Sequence, residues 1–272
     1  MSLDLTLHTR PEVPLEAEIL SPDRLHSLSL AEVEKAQVLH GNSTVALAEF
    51  FRVGGNPDGE IHLHGDLARV KYAGAGMSSG RLVIHGNIGE HLGMGMSGGE
   101  IRVEGNAGDW VGPEMRGGAI LIEGDAGHCT GAAYRGSSTG ILGGEIIVLG
   151  RTGNETGHAM RNGIIAVGGD SGDFTGVNML AGTIVVCGSP GPRTGAGMKR
   201  GSIISMSPAE MLPTFSYDCC YHPVYIRLCL SNLARRGLPL DDASVNGEYE
   251  RWSGDAIELN RGEILIYKPK HS

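Results

Sequence analysis

Aromatic residues make up only 5% of this 272-residue chain, and basic residues do not dominate it: the formal net charge is −9. A net acidic balance argues against a nucleic-acid partner, which calls for a basic face. No apolar run approaches the roughly 18 residues of a membrane span, so no membrane partner is expected. The opening segment, MSLDLTLHTRPEVPLEAEIL, has neither a basic stretch nor a continuous apolar core, so no secretion signal is expected. The five cysteines are odd in number and lack framework spacing, which fits a reducing, cytoplasmic compartment. A strict three-residue glycine period is missing, which excludes collagen despite 44 glycines. Disorder is excluded by a hydrophobic fraction of 40% with β-branched residues recurring on schedule.

What the chain has instead is glycine in register. Gly80, Gly99, Gly118, Gly144, Gly163, Gly182 and Gly201 open seven turns, and three further glycine columns follow the first six openings at fixed offsets. The unit reads G-x-[ILV]-x-[IV]-x-G-x-x-G-x-x-x-G-x-x-M with a period of 19, after one irregular earlier turn that begins at Gly59. One step is 26 residues long, from Gly124 to Gly150, and marks a seven-residue insertion over about Ser137–Gly143. Each unit carries one short alternating strand with an apolar pair such as Ile101/Val103 or Ile165/Val167. A single five-residue strand cannot bury its apolar face; stacked on its copies, it can. The expected fold is therefore all-β: a right-handed parallel β-helix of about eight coils, with small α/β caps at both ends. About eight rungs at ~4.8 Å give a rod of roughly 38 Å. Met77, Met96, Met115, Met160, Met179 and Met198 form a further column, with Tyr134 in the seventh place, and are expected to fill an interior corner.

The chain divides into an N-terminal cap over 1–57, the β-helix over 58–207 and a C-terminal cap over 208–272. Ser29 to Glu32 forms a capping box that predicts a helix to about Val38, and a second short helix is expected over Thr44–Phe51. Ser207 to Glu210 predicts another helix start, and a longer helix is expected over Pro223–Arg236, ended by Gly237. A closing hairpin is expected from Ala256–Leu259 and Glu263–Tyr267. Outward strand positions are polar in the early rungs and apolar in the late ones (Ile147, Leu149, Val185, Cys187, Ile204, Met206), so residues 208–236 or a partner should cover the late rungs.

No Ser/His/Asp order, nucleophile elbow or P-loop occurs, and no catalytic residue is assigned. Gly93–Gly98 matches a dinucleotide fingerprint, but as one rung of a repeat it lacks the strand-turn-helix setting that motif needs. His62, His64 and His85 share an outward face on adjacent rungs, with Glu104 one rung on. They are the metal-ligand candidates, set against a plain histidine ladder. Cys219, Cys220, His222 and Cys229 lack paired ligand spacing, and the cysteines read as buried free thiols. One residue past the methionine column stand Arg116, Arg135, Arg161 and Lys199. The first three are expected on consecutive rungs, with Leu180 interrupting before Lys199; their stacked charge needs neutralising, and arginine suits carboxylates on a partner or carrier.

The entry segment LSLAEVEKAQVLHGNSTVALAEFFRVGG, the GD/GN-x-x-G-x-x-x-G-x-x-M coils and the closing GDAIELNRGEILIY resemble the C subunit of the formylmethanofuran dehydrogenase family. The resemblance covers nearly all of residues 20–267. The coil alone is shared with the C-terminal domain of glutamate synthase large subunits, and the entry segment and free-standing length favour the dehydrogenase-type C subunit. The resemblance implies a non-catalytic scaffold subunit of an enzyme complex, with amidohydrolase-like, dehydrogenase-B-like and formyltransferase subunits as partners. That complex is either a tungsten or molybdenum dehydrogenase, or a formyltransferase/hydrolase using tetrahydromethanopterin and a methanofuran-type carrier and releasing formate. The excess of arginine over lysine leans towards the second. The resemblance implies no cofactor bound by this subunit. A glutamate-synthase-like brace and a stand-alone binding rod remain as rival classes.

Overall fold

The structure, a computed structural model, describes residues 2–269. Its centre is a stack of parallel strands: Glu60–His64, Arg81–His85, Glu100–Val103, Ala119–Ile122, Glu145–Val148, Ile164–Val167, Thr183–Val186 and Gly201–Ser205. Within the stack each strand pairs in register with the one before and the one after it, so Ile101, Ile120, Ile146, Ile165, Ile184 and Ile203 form one column. This is the expected all-β, β-helix-like arrangement, and the strands expected over 60–64, 81–85, 100–104, 119–123, 145–149, 164–168, 183–187 and 202–206 lie within about one residue of the observed bounds. A second line of parallel bridges runs Leu67, Ile88, Ala107, Ala126, Thr152, Ser171 and Pro190. The six repeat methionines are fully buried, as interior filling requires.

Corner residues supply a device that the glycine pattern did not reveal. Asn87 Oδ1 accepts from the Asn106 N–H at 2.8 Å, Asn106 Oδ1 from Asp125, and Asp125 Oδ1 from Arg151. Each side-chain oxygen thus satisfies a backbone donor one turn further on, where no strand ladder reaches. Glycine beside this line leaves room for the approach. A Cβ on Gly124 would lie 2.2 Å from Asn106 Oδ1.

The insertion sits earlier than expected. Arg116 N–H donates to the Met96 carbonyl, and the equivalent donors in the next turns are Leu142 to Met115 and Arg161 to Ile141. Ile141, fully buried, therefore takes the methionine place, and the excursion lies over residues 134–140. Tyr134 is displaced from the column because its hydroxyl needs a partner, which it finds at His91 Nδ1, 2.7 Å away.

At the N-terminal end, Leu3–Leu7 adds parallel to Glu60–His64, and Phe51–Gly55 pairs antiparallel outside it. The Ser29 capping box forms, but its helix covers only Leu30–Lys35, and Val38 belongs to the strand Gln37–His40. The helix expected over Thr44–Phe51 is not observed. Ser43–Ala46 instead closes a hairpin on Gln37–His40 through Gly41 at φ +62°, followed by a 3-10 turn, Leu47–Glu49. The two-residue Gly-Asn link and the β-branched Thr44 and Val45 favour that outcome.

At the other end, Gly262–Lys268 adds parallel to Gly201–Ser205. Its antiparallel partner is Glu248–Gly254, not 256–259 as expected. Asp255 accepts from the Ile257 N–H at 3.1 Å and starts a 3-10 turn, Ala256–Glu258, there. No helix follows Ser207: Pro213 excludes Leu212 from helical backbone and leaves too short a run. The long helix spans Val224–Arg235, with Pro223 at its N-cap and Gly237 at φ +100° after it. Ile226, Leu230 and Leu233 pack on Ile147, Ala166, Val185 and Ile204. The expected covering of the late strands is thus real, but it is made by the helix and the following segment to Tyr249. Burying each of the three helix side chains is worth about 1.5–3 kcal/mol relative to exposure.

Candidate functional site

The two-residue spacing of His62 and His64 puts both on the outer face of one strand. Parallel register then sets His85 opposite His64. His64 and His85 rings lie 4.5 Å apart between centroids and within 8° of parallel. His62 reaches diagonally, and its Nδ1 lies 2.8 Å from His85 Nε2. Each outer nitrogen faces a carboxylate. His85 Nδ1 is 2.8 Å from Glu104, His64 Nε2 is 3.3 Å from Asp4, and His62 Nε2 is 3.4 Å from Glu60. The hydrogen bond from His85 holds the Glu104 carboxyl below the usual carboxylate range. One potential ligand atom from each of the three histidines lies within 4.8 Å of the others. Among the described residues this is the one group of three or more His, Cys, Asp or Glu side chains so arranged.

The arginine edge departs from expectation. Backbone bonding places Arg116, Leu142, Arg161, Leu180 and Lys199 in successive turns. Leucine therefore separates the charges, and Arg135 lies in the excursion, off that line. Lys199 pairs with Glu258 at 3.6 Å, while Arg116, Arg135 and Arg161 are exposed and form no ion pair among the described residues. Arg135 instead borders a cavity of about 340 Å³ with Asp109, Trp110, His128, Cys129 and Glu155. Burial pushes the Cys129 thiol up to about 11, so it is not a thiolate nucleophile near neutral pH.

A second line of side chains was missed in the sequence. Tyr72 and His91 stack at 4.6 Å, His91 and Trp110 lie 6.2 Å apart, and Tyr134 covers Trp110 at 4.7 Å. The recurrence of 72, 91 and 110 at intervals of 19 was the available signal. All three take left-handed backbone, with φ between +61° and +63°. Burial lowers the His91 imidazole below its ordinary value.

Cys219 and Cys220 are neighbours on the strand Ser216–Tyr221, so they face opposite sides and do not share a ligand site; contrary to expectation the thiols are not buried, Cys219 being exposed and Cys220 and Cys229 half-buried. Gly93–Gly98 forms a coil corner, with no helix after it. Among the described residues no helix is long and apolar enough to cross a membrane.

No family model matches the chain. A segment of 83 residues is 44% identical to the C subunit of molybdenum-containing formylmethanofuran dehydrogenase 1 of Methanothermobacter thermautotrophicus, covering 30% of this chain and 21% of that one. A segment of 89 residues is 41% identical to the C subunit of tungsten-containing formylmethanofuran dehydrogenase 2 of Methanothermobacter wolfeii, covering 31% and 33%. The matches thus span a fifth to a third of these relatives' length. Among solved structures, a chain of the formyltransferase/hydrolase complex (FhcABCD) from Methylorubrum extorquens, in complex with methylofuran, superposes with a TM-score of 0.90 at 32% identity. That likeness covers 98% of this chain and all of the other.

Proposed function

The chain belongs to the family of C subunits of formylmethanofuran dehydrogenases and formyltransferase/hydrolase complexes, and from that premise we propose that it is a non-catalytic scaffold subunit of a formyltransferase/hydrolase complex. The complex would carry a formyl group from tetrahydromethanopterin to a methanofuran-type carrier and release it as formate. The observation that carries this reading is the likeness to the FhcABCD chain, which runs the length of both chains, whereas the dehydrogenase matches are confined to one segment. In this reading the core, residues 58–207, is a right-handed coil of about eight turns. Residues 1–57 and 208–272 cap it.

The surface fits the role. Val224 and Leu228 stand one turn apart on the outer side of the C-terminal helix and remain exposed, 71% and 77%. An amidohydrolase-like, dehydrogenase-B-like or formyltransferase partner would cover them. Arg116 and Arg161, with Arg135 beside the cavity, would meet acidic groups of a partner or of the carrier's tail. The methanofuran-type carrier and tetrahydromethanopterin would serve the complex, with no organic cofactor bound by this subunit, which would act in the cytoplasm.

The test is affinity capture of the tagged chain from its host, with mass spectrometry of what co-purifies. Formyltransferase and amidohydrolase-like subunits without molybdenum or tungsten are expected. Co-purifying molybdenum or tungsten would favour the dehydrogenase, an amidotransferase the glutamate-synthase-like brace, and no partner a stand-alone rod. The isolated chain is expected neither to transfer nor to hydrolyse formyl groups.

A further inference from the structure

Three imidazoles on adjacent strands are common as a passive ladder. Here two features distinguish them. Their inner nitrogens converge, and two of the outer nitrogens are hydrogen-bonded to separate carboxylates, His85 to Glu104 and His64 to Asp4, with Glu60 3.4 Å from the outer nitrogen of His62. A carboxylate on the far nitrogen fixes the ring's tautomer and raises the basicity of the near one, as it does for metal-ligating histidines. We propose that His62, His64 and His85 form a binding site for a divalent transition ion of the zinc class, with the fourth position open to solvent. This goes beyond the scaffold role and does not depend on it.

The chemistry selects the ion. Neutral imidazole suits zinc, copper, nickel and iron, whereas magnesium and calcium call for oxygen ligands. The ion would take the place of the proton now shared by His62 Nδ1 and His85 Nε2. Two ligands at about 2.05 Å around a tetrahedral ion stand about 3.4 Å apart. The His62–His85 pair, at 2.8 Å, must therefore open by about 0.6 Å. The nitrogen of His64 not engaged by Asp4 supplies the third ligand, and spacings of up to 4.8 Å must close by about 1.4 Å. Side chains that are 24%, 37% and 30% exposed have the freedom to turn by that much. Asp4 lies on the N-terminal strand, so the site would tie that strand to the first two strands of the stack.

The experiment uses the full-length chain, stripped with chelator and titrated with Zn²⁺ against a chromophoric competitor, then with Co²⁺ followed by visible absorption. One equivalent of zinc and a four-coordinate Co²⁺ spectrum without thiolate charge transfer are expected, undisturbed by excess Mg²⁺. The His62→Asn/His85→Gln double variant should abolish binding. His64→Asn leaves the His62–His85 hydrogen bond in place and should weaken binding at least about 10-fold, and Glu104→Ala by about 10- to 100-fold. Far-UV circular dichroism confirms that each variant is folded. Should the double variant unfold, the two single variants decide the matter. Absence of binding, thiolate charge transfer, or affinity unchanged in His64→Asn and Glu104→Ala overturns the proposal.

Discussion

Glycines at the coil corners serve two different physical needs, and two substitutions separate them. Gly117 does not have positive φ; a Cβ there would lie 2.4 Å from the Ser97 carbonyl oxygen of the preceding turn. That oxygen is backbone, and real contacts do not fall under 3.0 Å, so the turns must part by about 0.6 Å. The nearby bonds Arg116 N–H to Met96 (2.7 Å) and Ala119 N–H to Gly99 (3.0 Å) would then stretch to roughly 3.3 and 3.6 Å, at or beyond a useful hydrogen bond. Overpacking costs about 1–3 kcal/mol and each weakened bond about 1 kcal/mol. Gly117→Ala should therefore destabilise by about 3–5 kcal/mol. Gly95 is the opposite case: φ is +62° and nothing lies within 4 Å of a Cβ. Alanine in left-handed backbone costs about 1–2 kcal/mol, offset by about 0.4–1 kcal/mol from the less flexible unfolded chain. Gly95→Ala should thus cost no more than about 1.5 kcal/mol. Urea unfolding followed by far-UV circular dichroism, with equal slopes for both variants, measures the two costs. Equal losses, or a larger loss at Gly95, would refute the distinction between crowding and backbone conformation.

Leu230→Ala should cost about 2–5 kcal/mol and expose the C-terminal helix to limited proteolysis, since Leu230 is fully buried against the late strands; resistance equal to wild type would contradict that packing. Burial pushes the Asp255 carboxyl up, but the N–H groups of Gly197 (2.9 Å) and Ile257 (3.1 Å) pull it below the usual carboxylate range. Its folded value being depressed, its contribution is present above about pH 4 and is lost as pH falls through the folded value, so Asp255→Asn should destabilise at pH 7 and converge on wild type in acid; a constant difference across an acid titration would count against this. Arg116→Ala/Arg161→Ala should make captured partner subunits dissociate at lower salt if these arginines meet an acidic surface, and an unchanged salt profile would show that they face only water.

The stack was legible because its signal repeats. Seven glycine openings at a fixed interval outweigh any single ambiguous residue, and the strand bounds follow to within about one position. The insertion was not legible in the same way. Gly131-Ala-Ala-Tyr134-Arg135-Gly136 imitates Gly112-Pro-Glu-Met115-Arg116-Gly117 at both glycines and at the arginine, with a large side chain in the methionine place. Only the hydrogen bonds show that the chain leaves the coil there and re-enters at Ile141. The caps occur once each, so local signals compete without repetition to decide between them. Thr44–Phe51 has helical composition but begins as a paired strand, and Ser207 begins a box that Pro213 truncates. The histidine cluster could be placed because strand register alone brings it together. Asp4, arriving from a strand 60 residues away from His64, could not.

Stacking itself explains which side chains this surface tolerates. In-register turns repeat each position every ~4.8 Å, so like charges in one column face each other at a spacing well inside the Debye length of about 8 Å. The chain resolves this by alternation. Leu142 and Leu180 separate Arg116, Arg161 and Lys199, which doubles the spacing to about 9.6 Å. Elsewhere opposite charges are stacked instead, as where Arg81 lies 3.7 and 3.9 Å from Glu60 and Glu100; Glu104 and Glu123, one turn apart, are each met by a neighbouring base, His85 at 2.8 Å and Arg102 at 2.6 Å. Histidine needs neither device, because a neutral imidazole presents one donor and one acceptor and can stack on its own copy. A position that admits adjacent imidazoles without a fixed charge is what sets three ligand nitrogens side by side at the start of the stack. By the same argument, His64→Lys would place a fixed charge against His85 and should lower stability by more than His64→Asn. An equal effect of the two would mean that solvent, rather than stacking, governs this face.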